Sequence, residues 1–177
     1  MSESSEAVAK GRLFVGLPMA ANVRRQLVEQ LPSSALSKLS GNIHLTLRFI
    51  GEVGPISSYM EQLAGIRCSR FNLHLGTPGF LRGNIYYISP DPNSSLKNLK
   101  SHIDAMLGRL GLPAEPRPFL PHITLCRFRH KTSAAQREKL CAIDVDLPWY
   151  IDSFCLFRSH LSHLGARHEV LKRYDLA

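Results

Sequence analysis

Two short phrases with the pattern His-x-Thr-Leu, His44-Leu45-Thr46-Leu47 and His122-Ile123-Thr124-Leu125, each set an imidazole and a hydroxyl two residues apart. Imidazole titrates closest to neutral pH among the side chains. Two of them facing one another can divide proton traffic, one acting as general base and the other as general acid. The reaction that suits such a pair is in-line phosphoryl transfer. One ring takes a proton from attacking water and the other gives one to the departing oxygen. The Thr46 and Thr124 hydroxyls would then bond the non-bridging phosphate oxygens, with an arginine offsetting the charge. That logic requires no metal, and no cofactor is expected. No carboxylate pair flanks the histidines to suggest glycoside cleavage or a metal site.

Both phrases lie in alternating runs, which read as β-strands, and residues two apart on a strand share a face. Leu45 and Leu47, or Ile123 and Leu125, would pack behind while His and Thr point into a shared cleft. By the same parity Arg48 stands with His44 and Thr46, as a candidate phosphate partner. Arg127 falls on the wrong face of a regular strand, unless that strand bulges or ends there. Phe49 and Phe119 are candidate stacking platforms for a nucleobase. His160 and His163 lack a nearby cysteine or carboxylate set, so they do not form a zinc motif. His74, His102, His130 and His168 have no sequence neighbour that suggests a partner.

The rest of the chain supplies the elements that must position these groups. Arg12–Leu17 reads as a strand ended by Pro18, and Met19–Leu31 as an amphipathic helix stopped by Pro32. The first motif strand runs from Asn42 to Ile50, followed by a short helix over Ser57–Ile66. Strands are expected over Phe71–Leu75 and Asn84–Ser89, then a helix capped by Ser94 or Ser95 and running to about Leu110. A proline-rich approach leads to the second motif strand, His122–Phe128. Ser133–Ala142 reads as a helix, Trp149–Arg158 as one long strand and Arg167–Arg173 as a short one. The count is about seven strands and four helices, and the repeated motif strand suggests duplication of one lobe.

Composition bounds the class. The 177 residues are 44% hydrophobic, enough for a real core in one domain or two small fused lobes. Lys and Arg total 22 against 14 acidic residues, for a net charge of +8. Fifteen of the 22 are arginine, which favours bidentate contacts to phosphate or carboxylate. The four cysteines show no paired spacing and read as reduced thiols. No apolar run approaches the ~20 residues of a membrane span. The expectation is a cytoplasmic protein without membrane association, with residues 1–11 as a flexible tail and 12–177 as one domain or two fused lobes; a monomer is expected.

The run Asn42–Val53, together with Arg117-Pro118-Phe119-Leu120-Pro121-His122-Ile123-Thr124-Leu125-Cys126-Arg127, resembles the two signatures of the LigT-like RNA 2′,3′-cyclic phosphodiesterases. These are also called 2′–5′ RNA ligases, of the two-histidine phosphoesterase superfamily. Arg12–Pro18 resembles the family's first strand. The resemblance implies a bilobal α+β fold, with two antiparallel sheets lining a central cleft and helices outside. It also implies hydrolysis of RNA 2′,3′-cyclic phosphate ends, or of cyclic nucleotides, to 2′-phosphates, with weak reverse 2′–5′ ligation. On this likeness His44 resembles the acid, His122 the base, Thr46 and Thr124 the phosphate-holding hydroxyls, and Arg127 the phosphate-contacting arginine. The readings from other directions are an RNA- or nucleotide-binding module with little turnover, and a related two-histidine enzyme acting on a different phosphodiester.

Overall fold

The computed structural model describes residues 10–36, 39–41, 43–162 and 165–177. Residues 1–9, Asn42 and His163, which carried part of the tail, of the first motif strand and of the zinc question, lie outside the described residues. Eight strands are described: β1 Gly11–Pro18, β2 His44–Val53, β3 Phe71–Leu81, β4 Ile85–Pro90, β5 Ile123–Arg127, β6 Leu147–Ile151, β7 Ser153–Ser162 and β8 Gly165–Asp175. They form one antiparallel sheet in the order β6-β3-β4-β5-β2-β1-β7-β8. The two expected sheets are its four-stranded halves, joined where Leu45 of β2 pairs with Ile123 of β5.

The helices among the described residues are α1 Ala21–Gln30, α2 Ser33–Leu36, α3 Ile56–Ala64, α4 Ser94–Gly108 and α5 Ala134–Cys141. α1 buries Val23 and Leu27, α3 buries Ile56, Tyr59 and Leu63, and α4 buries Leu96, Leu99, Ile103 and Leu107. These spacings of three and four residues make one apolar stripe per helix. All of them join a single core with the inward side chains of the sheet, including Val15, Leu45, Leu47, Ile88, Ile123 and Leu125. Each half has its own motif strand at the seam, so the other face of the seam is left to the polar members of the motifs. No helix among the described residues is long and apolar enough to cross a membrane.

Several sequence expectations change: β3 runs on through residues 76–81, expected as a connection, and residues 33–36, expected only to stop the first helix, form α2. α4 is capped by Asn93, not Ser94 or Ser95, and its side chain accepts the Leu96 N–H at 2.9 Å. All three are good caps, and Asn93 is the one with extended backbone before the helix, at φ −136° and ψ 121°. The long strand over Trp149–Arg158 is two strands. β6 pairs with β3 at one end of the sheet, β7 pairs with β1 in the other half, and only Asp152 joins them. Alternation continues through the break, so it cannot show that the partner strand changes.

That single joining residue spans at most about 7 Å, so the edge of one half must come round to meet the other. The sheet is therefore curled, and backbone bonds hold the curl. Ala177 N–H donates to Cys68 O at 3.0 Å, Arg70 N–H donates to Ala177 O at 3.0 Å, and Leu176 N–H donates to Asp152 O at 2.8 Å. On the β3–β6 edge, His74 Nε2 lies 2.5 Å from Asp146 Oδ1, and this contact holds the imidazole pKa above its usual range. Leu45 and Ile123 are both fully buried at the seam. Leu45→Ala is expected to lower unfolding free energy by about 2–5 kcal/mol, measured by urea denaturation. A loss under about 1 kcal/mol would show that the seam is not a packed part of the core.

Candidate active site

Extending the Leu45–Ile123 pair by one residue each way sets His44 opposite Thr124 and Thr46 opposite His122. Directly opposed side chains in an antiparallel pair share a face. Leu45 and Ile123 turn into the core, so the two histidines and two threonines share the opposite face, and all four are half-buried. The repeated phrase predicts these four side chains on one face, and the register of the seam sets them there.

The motif leucines do something the sequence did not disclose. β1 pairs Gly16 with Thr46 but Val15 with Arg48, leaving Leu47 as a bulge; β4 pairs Tyr87 with Thr124 but Tyr86 with Cys126, leaving Leu125 as a bulge. A bulge inserts one unpaired residue and so reverses the in–out alternation beyond it. In both strands the residue after the bulge, Arg48 or Cys126, is buried, and the next one, Phe49 or Arg127, is exposed. Arg127 pairs with Ile85, which shares a face of β4 with Tyr87, the partner of Thr124. Arg127 thus stands on the cleft face, and the parity difficulty is resolved by the bulge.

Arg48 is moved the other way, and its expected place beside the phosphate is corrected. It is only 6% exposed and its guanidinium bonds Glu115 at 3.2 Å and the Pro113 carbonyl, with Asp104 at 3.7 Å. Lys100 completes this balanced group through Asp104 at 2.5 Å. The network ties β2 to α4 and to the segment leading to the second motif. Phe119 is corrected with it: its half-buried ring packs on the core and lies 5.6 Å below Lys100 Nζ. Phe49, by contrast, is 61% exposed on the cleft face, 6.0 Å from the Phe14 ring.

Each histidine rests on aromatic neighbours. The His44 ring lies 4.9 Å from Phe14 and 5.7 Å from Phe157, which stack on one another and form with Cys155 a small separate apolar cluster. Gly16 opens the space for this: a Cβ there would fall 2.8 Å from the Leu45 carbonyl and 3.5 Å from the Phe157 ring. On the other half, Tyr87 meets His122 edge to face at 5.7 Å, over Gly79, where a Cβ would strike the phenol at 2.6 Å. His122 Nδ1 lies 2.9 Å from the Leu120 carbonyl. A carbonyl only accepts, so Nδ1 carries the proton and the neutral ring keeps its lone pair on Nε2.

Sequence spacing missed a third imidazole. His168 of β8 stands edge-on to His44 at 5.0 Å and to Phe14 at 4.9 Å, with Nδ1 2.9 Å from Ser159 Oγ. Its only signal in the chain is a lone histidine in a short strand, and it reaches His44 across two intervening strands. The other unplaced histidines lie elsewhere: His102 Nδ1 is 3.0 Å from Cys68 Sγ, and His160 Nε2 is 2.7 Å from Glu169. Near the C-terminus, Arg173 is held by Asp152 and Asp175, and Lys172 sits over the Tyr174 ring.

The family model of the 2′-5′ RNA ligase superfamily matches residues 22–162, and the chain belongs to that superfamily. An RNA 2′,3′-cyclic phosphodiesterase of Escherichia coli K12 is 29% identical over 174 residues, covering 93% of this chain and 96% of the relative. One from Aeropyrum pernix is 33% identical over 95 residues, about half of each chain. Among solved structures, E. coli LigT complexed with 3′-AMP superimposes with a TM-score of 0.76 at 26% identity, covering 96% of this chain and 99% of that one. A protein of Thermus thermophilus matches the fold with a TM-score of 0.77 at 23% identity, covering 93% of this chain and 97% of that one.

Burial lowers the His168 pKa, because desolvation disfavours the imidazolium. The folded pKa thus lies below the unfolded value of about 6.5. The stabilisation is complete above that value and declines as pH falls toward the folded pKa. His74, raised by Asp146, acts in the opposite sense, so His168 is read as a difference: from pH 7.5 to 5.5 the unfolding free energy of the wild type is expected to change less favourably than that of His168→Phe. Equal slopes in the two proteins, from urea titrations, would show that His168 does not titrate differently on folding.

Proposed function

We propose that the chain hydrolyses RNA 2′,3′-cyclic phosphate ends, or cyclic nucleotides, to 2′-phosphates by metal-independent general acid/base catalysis, with weak reverse 2′–5′ ligation. The observation that carries this reading is the buried Leu45–Ile123 pair, from which antiparallel register sets His44 against Thr124 and Thr46 against His122. The superfamily membership and the names of the relatives support the same substrate. His122 Nε2, left with its lone pair by the Leu120 bond, takes a proton from water as its oxygen attacks phosphorus. The bond from phosphorus to the ribose 3′ oxygen breaks, and His44 gives that oxygen a proton. Thr46, Thr124 and Arg127 bond the non-bridging oxygens as charge develops on them, and Phe49 stacks on the terminal base. The protein works as a single bilobal domain, as a cytoplasmic monomer.

His44→Ala and His122→Ala are each expected to lower kcat by about 10²–10⁴-fold with the fold intact by circular dichroism. The test is hydrolysis of an oligonucleotide ending in a 2′,3′-cyclic phosphate, in excess EDTA, with the product isomer identified. A 3′-phosphate product would reverse which oxygen leaves, and no product with or without metal would favour another diester or a binding module. Thr46→Ala and Thr124→Ala should each cost about 10–100-fold in kcat/KM. Rates like the wild type's in both would remove the hydroxyls from the phosphate site.

A further inference from the structure

Charge is segregated along this chain in a way that the reaction itself does not require. Residues 76–90 and 116–137 together contain six lysines and arginines and no acidic residue, in a chain with 14 acids. The fold lays these two segments side by side. Ile85 of β4 pairs with Arg127 of β5, Phe128 N–H donates to Asn84 O at 2.8 Å, and Thr132 N–H donates to Gly83 O at 2.9 Å. The turn between β3 and β4 is thereby stitched to the chain leaving β5, at one end of the cleft.

Four cations crowd this rim. Arg82, Arg127, Arg129 and Lys131 are all exposed, and among the described residues none of their side chains has a hydrogen bond or ion pair. Phe128 is buried between Arg127 and Arg129, and both arginines are exposed, away from the core. Arg82 adopts left-handed backbone with φ 54° and Gly83 follows at 76°. The missing Gly83 side chain gives the Lys131 stem a place: a Cβ there would lie 3.5 Å from Lys131 Cγ. In the other half of the sheet Arg173 is held by two aspartates and His160 by Glu169.

We infer that the rim formed by the β3–β4 turn and residues 127–131 is a track for single-stranded RNA lying 5′ of the terminal nucleotide. The chain then favours oligonucleotides over free cyclic mononucleotides. This rests on the function proposed above, since Arg127 is where the track meets the reacting phosphate. A cyclic mononucleotide ends at Arg127. A longer chain offers further phosphates to Arg129, Lys131 and Arg82. The 2′,3′-cyclic end requires a ribose 2′ oxygen, so the polymer is RNA. An extended, unpaired strand suits a rim of separate cations better than a duplex groove does.

The test compares an RNA oligonucleotide ending in a 2′,3′-cyclic phosphate with a 2′,3′-cyclic mononucleotide, in wild type and in the Arg82→Asn/Arg129→Gln/Lys131→Gln variant. The variant should lose at least tenfold in kcat/KM on the oligonucleotide and stay within twofold on the mononucleotide, which also reports correct folding. Its slope of log kcat/KM against log salt should flatten by about 2, for three lost contacts to a single strand. Equal effects on both substrates, or no effect on either, would overturn the track. If the wild type turned over neither substrate, the proposed function would fall. Fluorescence anisotropy would then decide the track alone: weaker binding of the labelled oligonucleotide by the variant supports it, and equal binding overturns it. Displacement of the RNA by poly-glutamate at matched charge, as readily as by unlabelled RNA, would also overturn it.

Discussion

The contact on which the site depends is the pairing of Leu45 with Ile123. It is the one registered pair between β2 and β5, and it is buried on the core side. Because opposed residues in an antiparallel pair share a face, it decides which residue of one half meets which residue of the other. A slip of one residue would carry His and Thr of one strand into the core. The seam is held from elsewhere as well. Asp152 joins strands in opposite halves, and the C-terminal residues bond the segment before β3. The ionic group around Arg48 ties β2 to the approach of the second motif.

The fourth residue of each motif acts as a switch. Leu47 and Leu125 occupy corresponding places and both bulge, so alternation is inverted at the same point in each half. One face of each strand carries His and Thr before the bulge and Phe49 or Arg127 after it. The two halves thus give the cleft matched histidines and threonines but unlike residues beyond the bulge. One offers an aromatic ring and the other a guanidinium. In the proposed reaction the ring suits a base and the guanidinium a phosphate, which would give the site a direction.

The imidazoles are also placed unlike one another. His122 is oriented by a carbonyl at Nδ1 and touched by Tyr87, whereas His44 lies on stacked aromatics with His168 at its edge. Glycines at 16 and 79 leave the space that these rings occupy, since a Cβ at either would meet backbone or ring below 3 Å. The two imidazoles thus differ in the polarity of their neighbours and in hydrogen bonding.

The chain by itself determined the local facts. Repeated His-x-Thr in alternating runs marked the site strands, apolar spacing placed α1, α3 and α4, and prolines and glycines marked the stops. These signals come from periodicity and backbone restriction, which act between near neighbours. Only the tertiary structure decided what depends on partners. Strict alternation put Arg48 in the cleft and Arg127 out of it, and the bulges, which exist only against β1 and β4, exchanged them. Phe119 became a core ring under Lys100, the alternation through Asp152 hid a change of partner strand, and His168 reached His44 across two strands. The physical reason is common to all of these. Register and strand order are set by pairing between residues far apart in the chain, and no local pattern carries that information.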